Sequence, residues 1–494
     1  MALLENLLKD ISHQIIPPRN PNITGIQCDS RRVSPGDLFC AVPGQFQDGA
    51  DFIPEAIARG AAAVLSSRKA ETSCPLVLTQ DPLGSMGLVS AAFYGHPSRT
   101  MNVIGVTGTN GKTTITYLLE RIFAAAGQSC GVIGTINYRL GDHLWPAPRT
   151  TPLAPDLQRL LRDMAQAGAR SVAMEVSSHA LALKRVDAIN FQVGVFTNLT
   201  QDHLDFHKTM KEYFKAKARL FELLGEGGEP ENKTAIINAD DVWGKKLLTQ
   251  GRTRVVSYGM SSSCTLRAAS IRLGTSGTHF EFHRQGKKRP VHMKLLGRHN
   301  VYNALAAIGA AISSGIDEST AINGVENTPG IPGRLEKIGE GKGPVVLVDY
   351  AHTEDALHRA LETVRTFKPR RLIVVFGCGG DRDRGKRPAM GQTAARLADR
   401  VILTSDNPRS EDPRQIILDI EVGLRKVKTE GYEIYPDRAE AIRKAIEGAG
   451  AGDVVLIAGK GHETTQIYAD RTVPFDDREI ARELLKIPPS PKKS

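Results

Sequence analysis

GVTGTNGKTT, residues 105–114, decides how the rest of the chain is read. It continues the apolar run Val103-Ile104-Gly105-Val106. It leads into a segment where Ile115, Leu118, Leu119, Ile122 and Phe123 recur at helical spacing, with Gly127 as the stop. Strand, glycine-rich loop and helix in that order make a phosphate cradle. Gly108 and Gly111 let the N–H groups of Thr109, Asn110 and their neighbours wrap phosphate oxygens, and the helix N-terminus adds partial positive charge. Lys112 is placed to reach the β and γ phosphates. Thr113, followed by Thr114, offers a hydroxyl to Mg²⁺. Val106 stands where the strict GxxxxGK pattern has glycine, and the glycines fall at 105, 108 and 111 instead. ATP with Mg²⁺ is the expected ligand pair.

Outward from this loop, strand-like runs recur at Ser171–Met174, Val193–Phe196 and Ala235–Ile237, with helical patterns between most of them. This alternation predicts a parallel sheet with crossover helices. A second such block carries runs at Val345–Val348, Leu372–Phe376, Val401–Leu403 and Val454–Ile457. Between the blocks, NTPGIPGRLEK (327–337) is rich in proline and glycine and reads as a linker. The expected fold is α/β in three domains. A smaller N-terminal α/β domain takes residues 1–98, a central P-loop domain with a parallel or mixed sheet 99–330, and a Rossmann-like α/β domain 331–494. The opening MALLENLLKDISHQ reads as an amphipathic helix, not a signal peptide, and the closing IPPSPKKS as disordered.

At 494 residues the chain is too long for one core. Its 41% hydrophobic and 24% charged residues are those of an ordinary globular protein, and no apolar run approaches the ~20 residues of a membrane span. Six scattered cysteines without a CxxC pair suggest neither a zinc site nor a disulfide framework, so the cytoplasm is the expected compartment. The net charge of +10 is not concentrated in a basic run with interleaved aromatics; only KPRR (368–371) and Lys492-Lys493 are locally basic. A nucleic-acid groove is therefore not expected, whereas a small phosphorylated substrate suits a positive cleft.

Glu175 closes the run SVAMEVSSH, where a buried strand would otherwise continue, and a carboxylate beside a phosphate loop suits Mg²⁺. In TNLTQDHLDFH (197–207), His203 and His207 are four apart. The glutamate of an HExxH zinc motif is missing, and the surrounding acids favour an oxygen-rich Mg²⁺ site. From Thr209 to Leu224 a helix is predicted, with Thr209 and Glu212 as a capping box. Lys217 falls on its apolar stripe with Tyr213 and Leu220. Such a lysine either snorkels or points inward. An inward, desolvated amine is neutral and open to reaction with CO₂, giving a carbamate that binds a second Mg²⁺. In the last block the strand-like runs end on polar residues: Asp349 and His352, then GCGGDRDRGKR (377–387), then Asp406 to Arg409, then GKGHE (459–463). Ligands of open α/β sheets gather at that edge.

Taken in order, GTNGKTT, RTTP (149–152), EVSSHAL (175–181), TNLTQDHLDFH, YFKAKARLF (213–221), GRHNVYNALAA (297–307), PGRLE (332–336), DYAH (349–352), GDRDRGKRP (380–388), SDNPRSEDP (405–413) and GKGHE resemble the blocks of the Mur ligase family. These are ATP-dependent amino-acid ligases of bacterial cell-wall synthesis. DSRRVSPGDLFCAVPG (29–44) resembles the nucleotide-sugar domain of the members that add the third peptide residue, and the loop with Val106 is the family's form. The resemblance implies a UDP-MurNAc-dipeptide substrate, activated at its free carboxylate by ATP and attacked by the amine of the incoming residue. It implies Glu175 and His203 serving Mg²⁺ and Lys217 as N6-carboxylysine. Asn300, Asn303, Arg334 and Asp349 would lie near the nucleotide, and Ser30, Thr150, Thr151, Ser177 and Arg185 would hold the UDP-MurNAc-dipeptide. Leu183 stands where some relatives have a polar contact residue. A monomer without nucleic-acid partners is expected. The segment near 330 would then be a hinge.

DNPR is similar to the motif of diaminopimelate-adding members, whereas lysine-adding members lack its arginine. Meso-diaminopimelate ends in a second amino-acid head group. Arg409, helped by Arg382, suits its carboxylate. Asp406, Asn407 and Glu463 suit its ammonium, with Pro408 and Gly459 shaping the loops. The alternatives are lysine-adding chemistry, a folylpolyglutamate-synthetase-like ligase and a P-loop regulator.

Overall fold

The computed structural model describes residues 1–44, 47–226, 229–249, 253–339 and 343–487. The tail from Pro488, with Lys492 and Lys493, lies outside the described residues. The chain forms two compact units. The first comprises residues 1–267 and 303–324, the second 268–302 and 325–494.

The first unit begins with a small sheet of β1 (Gln14–Ile16), β2 (Gly25–Gln27), β3 (Asp37–Ala41), β4 (Ala63–Ser66) and β5 (Leu76–Leu78), in the order β1-β5-β4-β3-β2. Leu38, Cys40, Leu65 and Val77 face one apolar cluster and Phe39, Val64 and Leu76 another, as strand alternation requires. The N-terminal helix is shorter than its amphipathic pattern predicts. Only Leu4–Leu7 is helical, and by Gln14 the chain is paired as β1 against β5. Tertiary pairing of Ile15 overrides the helical propensity of the stretch.

The central sheet of this unit contains β6 (Asn102–Thr107), β7 (Cys130–Ile133), β8 (Tyr138–Leu140), β9 (His143–Trp145), β10 (Ser171–Glu175), β11 (Phe191–Phe196), β12 (Thr234–Asn238) and β13 (Arg254–Gly259). Its order is β9-β8-β7-β10-β6-β11-β12-β13. From β7 to β13 all neighbours are parallel, and β8 and β9 add an antiparallel edge. The helices that matter for the site are α1 (Lys112–Ala125), α2 (Ala154–Gln166), α3 (Ser178–Ala182), α4 (Leu204–His207) and α5 (Met210–Glu226). Ile115, Leu118, Leu119, Ile122 and Phe123 of α1 are all fully buried, which is why that periodic run is helical.

The second unit opens with a hairpin of β14 (Gly277–Arg284) and β15 (Lys287–Met293) and continues into α6 (Arg298–Ser313), which ends in the first unit. Its main sheet consists of β16 (Glu336–Ile338), β17 (Val345–Asp349), β18 (Leu372–Phe376), β19 (Arg400–Leu403), β20 (Tyr432–Ile434) and β21 (Val454–Ala458), in the order β16-β17-β21-β18-β19-β20. All neighbours but β16 and β17 are parallel. Leu347, Val374, Leu403 and Leu456 pack on one face, and Val346, Val348, Ile373, Val375, Ile402, Val455 and Ile457 on the other. Both faces are covered, as a doubly wound sheet demands. In the segment 327–337, Ile331 and Leu335 are buried, and Leu335 joins the core of this unit. Proline and glycine there shape a packed turn.

Candidate active site

In the first unit the loop between β6 and α1 takes a shape that only its glycines allow. Gly108 has φ +143°, and a Cβ there would lie 1.8 Å from Thr197 Oγ1; Gly111 has φ +91°, and its Cβ would lie 2.4 Å from Asn303 Oδ1. Gly111, the N-cap residue of α1, has no side chain to cap the helix, and the helix N-terminus carries partial positive charge suited to a phosphate. The loop is pinned from the side. Thr109 N–H donates to Asn198 O at 2.9 Å, Asn110 N–H to Asn198 Oδ1 at 3.0 Å, and Thr197 Oγ1 to Asn110 O at 2.6 Å. Lys112 Nζ donates to Gly108 O and Thr109 O at 2.9 and 2.8 Å, curling over the loop it is expected to serve.

Behind the loop, Thr113 Oγ1 donates to Glu175 Oε1 at 2.9 Å. The same carboxylate accepts from Thr135 N–H at 2.9 Å and Thr135 Oγ1 at 3.1 Å, and Thr135 Oγ1 lies 3.1 Å from Thr150 Oγ1. Thr114 is buried in the same first turn of the helix. This oxygen-only set suits Mg²⁺, which takes hard ligands and keeps waters. Among the described residues no group of three or more histidine, cysteine, aspartate or glutamate side chains is arranged to hold a metal. Glu175 and His203 are not in contact. His203 sits at the start of α4 with φ +53°, its ring 3.5 Å from Asp202 and edge-on to His179 at 4.9 Å between centroids.

Lys217 lies on the inward face of α5, 1% exposed, with Nζ 2.8 Å from Gly108 O and 4.6 Å from the centre of the Tyr213 ring. Burial, reinforced by the charge of Lys112, pushes its amine well below the usual lysine range. The inward reading holds and the snorkelling one does not. Thr209 Oγ1 accepts from Glu212 N–H at 3.1 Å, the first half of the capping box.

The dipeptide-site residues fall into two places. Thr151 Oγ1 donates to Glu175 O at 2.8 Å and lies 3.3 Å from Ser177 Oγ, while Arg185 Nη1 donates to Thr151 O at 3.3 Å. Thr150, Thr151, Ser177 and Arg185 thus join Glu175 in one cluster. The buried Nε of Arg185 has no hydrogen-bond partner among the described residues, and burial, then the neighbouring Arg149, lowers its guanidinium to about 10. A cation without a carboxylate fits an anionic ligand. Ser30 stands elsewhere, donating to Glu55 Oε2 at 2.7 Å; its neighbour Arg32 forks onto Asp156 of α2 at 2.9 and 3.1 Å.

In the second unit, β17, β21, β18 and β19 are adjacent and parallel, so their polar C-terminal ends share one edge. Asp349 Oδ2 accepts from Leu335 N–H at 2.7 Å, and burial raises its carboxyl. The Arg334 guanidinium stacks 4.9 Å above the Tyr350 ring. Asn300 Nδ2 donates to Leu296 O at 2.8 Å. The loop after β18 is zipped to SDNPRSEDP: Gly380 N–H donates to Asn407 O at 2.9 Å, and a Cβ on Gly380 would meet Pro408 O at 1.9 Å. Arg409, at φ +52°, donates from N–H to Ile467 O at 3.0 Å and from Nη1 to Gly380 O at 2.8 Å. A Cβ on Gly379 would lie 2.9 Å from Arg409 Nη1 and 3.8 Å from Arg382 Cγ, so the Arg409 guanidinium and the stem of Arg382 both approach this glycine. Asp406 is 7% exposed, and a Cβ on Gly459 would lie 2.5 Å from its Oδ2.

Sequence reasoning treated Asn407 as an acceptor for substrate, but its Oδ1 already accepts from Lys460 Nζ at 2.9 Å and Ile467 N–H at 3.0 Å. Its Nδ2 donates to Glu463 Oε2 at 2.8 Å, which Lys460 Nζ also reaches at 3.1 Å. Asn407 therefore orients Glu463. Thr135, Asn198 and the fully buried Lys460 were not singled out from sequence. Asn198 and Lys460 lay inside motifs already quoted; nothing local marks Thr135.

Three domain families match in succession. These are the Mur ligase family catalytic domain over residues 22–93, the Mur ligase middle domain over 106–311 and the Mur ligase glutamate ligase domain over 333–461. The chain is 46% identical to a protein of Solibacter usitatus named UDP-N-acetylmuramoyl-L-alanyl-D-glutamate–2,6-diaminopimelate ligase, over 94% of each chain. It is also 46% identical to one of the same name from Geobacillus thermodenitrificans, over 94% of this chain and 96% of that one. A solved structure of a ligase of that name is 36% identical, covers 94% of this chain and 95% of its own, and superposes with a TM-score of 0.69.

Proposed function

Because the chain belongs to the Mur ligase family, we propose that it joins meso-2,6-diaminopimelate to the D-glutamate carboxyl of UDP-MurNAc-L-Ala-D-Glu, with ATP cleaved to ADP and phosphate. A carboxylate oxygen of the D-glutamate attacks the γ-phosphorus of ATP and ADP leaves. The amine of diaminopimelate then attacks the carbonyl of the acyl phosphate, loses a proton, and the tetrahedral intermediate expels phosphate to leave the amide. Two anions must meet in the first step. Lys112, the N-terminus of α1 and Arg185 lower that repulsion. Thr113 and Glu175, with His203 nearby, would hold Mg²⁺, which supplies charge screening of the transferring phosphoryl group. The buried amine of Lys217, pushed well below the usual lysine range by burial, fits reaction with CO₂, and the carbamate would offer a further oxygen ligand.

The observation that supports diaminopimelate over lysine is the Arg409 guanidinium beside Gly379, with the stem of Arg382 at the same glycine, on the strand edge that also presents Asp406 and Glu463. The pair matches a head group with one carboxylate and one ammonium. A lysine ending in ammonium alone leaves both arginines without an anion. The test is phosphate release from ATP by the purified protein with UDP-MurNAc-L-Ala-D-Glu and a panel of diamino acids. Release with meso-diaminopimelate and little with L-lysine is expected. Release with lysine alone would reassign the amine, and release with none would remove the ligase reading.

A further inference from the structure

Tyr350 has no role in the account so far. It follows Asp349 at the end of β17, on the strand edge that carries the head-group residues. Its backbone is clamped from two sides. Its N–H donates to Gly333 O at 2.9 Å. A Cβ on Gly461 would lie 2.7 Å from Tyr350 Cβ and 2.8 Å from its Cα and N, so glycine is required for the approach. The ring is caged as well. The imidazoles of His352 and His462 stand 4.6 and 4.8 Å from its centroid, and the Arg334 guanidinium covers it at 4.9 Å. Among the described residues the phenol hydroxyl makes no hydrogen bond. Burial, then the charge of Glu463, raises its pKa, so at neutral pH it remains a donor. A rigidly held phenol with an unspent hydroxyl, on the strand edge that presents Asp406 and against the glycine two residues before Glu463, is placed to contact that head group.

We propose that Tyr350 is a further specificity residue, donating its hydroxyl hydrogen bond to the carboxylate of the distal head group of the diamino acid. This rests on the reading that meso-diaminopimelate is the amine substrate. The test is Tyr350→Phe, which keeps the ring and its cage and removes only the hydroxyl. Phosphate release is measured against diaminopimelate, ATP and L-lysine, alongside the unfolding midpoint. A hydrogen bond to a charged partner accounts for roughly a tenfold effect or more. The KM for diaminopimelate should therefore rise about tenfold, with kcat and the KM for ATP within about twofold. The ratio of kcat/KM for diaminopimelate to that for lysine should fall about tenfold, since lysine lacks the carboxylate. A ring with only a packing role would lower both substrates together or leave the ratio unchanged, and either result overturns the inference. If the unsubstituted enzyme shows no release with diaminopimelate, the underlying reading fails and takes the inference with it. An active unsubstituted enzyme with an unaltered ratio in the variant fails the inference alone.

Discussion

Replacing Arg409 with lysine keeps one positive charge on the loop and the same left-handed backbone, since Arg409 already sits at φ +52°. What changes is the fork. One N–H edge of the guanidinium is committed to Gly380 O at 2.8 Å, which fixes the plane and leaves Nε and Nη2 for a ligand. A carboxylate gripped by two N–H groups gains two charge-assisted bonds, each contributing about 1.5–3 kcal/mol. A lysine ammonium recovers about one of them. The loss is then about 1.5–3 kcal/mol, a fall of about 10- to 150-fold in kcat/KM for diaminopimelate. Arg409→Ala loses both bonds and leaves the carboxylate facing Arg382 alone, so its fall is larger. Initial rates of phosphate release at saturating ATP and UDP-MurNAc-dipeptide, with diaminopimelate varied, give the first number; the reverse titration gives the KM for ATP, which should move less than about threefold. Equal increases in both constants, or no change in either, would refute the assignment and make Arg409 a tie between the loops after β18 and β19.

Lys217→Ala should lose activity, and raised bicarbonate should not restore it; turnover close to the unsubstituted rate would exclude a carbamate role. Gly108→Ala places a Cβ 1.8 Å from Thr197 Oγ1 at φ +143°, so calorimetry should show ADP affinity down by roughly tenfold or more; unchanged affinity would mean the loop shifts freely. Glu411 accepts two bonds from the fully buried Arg387 and one from Asp381 N–H, and the Arg387 pairing lowers its carboxyl to about 2. A carboxyl depressed in the folded state contributes stability above its unfolded pKa, about 4.3, and loses it as pH falls toward about 2. Glu411→Gln should therefore lower the unfolding midpoint of the second unit by roughly 5 °C at pH 7, a gap that narrows steadily below about pH 4; a gap independent of pH would assign the effect to packing.

What the sequence made legible was whatever depends on neighbours along the chain. The phosphate loop could be read because each glycine answers a local backbone demand at a strand-to-helix turn. Lys217 could be read because helical spacing fixes its face relative to Tyr213 and Leu220. What stayed hidden depends on residues brought together from afar. Thr135 joins Glu175 only because β7 and β10 are neighbours in the sheet. Asn407 orients Glu463 from 56 residues away. The N-terminal helix was read too long for the same reason: sheet pairing of Gln14–Ile16 is not written in the leucine pattern before it.

The charged turn SDNPRSEDP shows how selectivity is narrowed to few atoms. Glu411 is spent on Arg387 and on the N–H of Asp381, and Asp412 caps the helix that follows by accepting from Arg414 N–H at 2.9 Å. Asn407 is spent on Lys460, Glu463 and Ile467, and Asp406 Oδ1 accepts from the Asn407 N–H at 2.7 Å. Among the described residues, Nε and Nη2 of Arg409 and the second oxygen of Asp406 remain without a hydrogen bond. On the proposed reading, a lysine side chain arriving there brings no carboxylate for Arg409, whereas diaminopimelate brings its own. On that reading, discrimination comes from the cost of leaving the Arg409 guanidinium without its carboxylate as much as from the contacts the correct substrate gains.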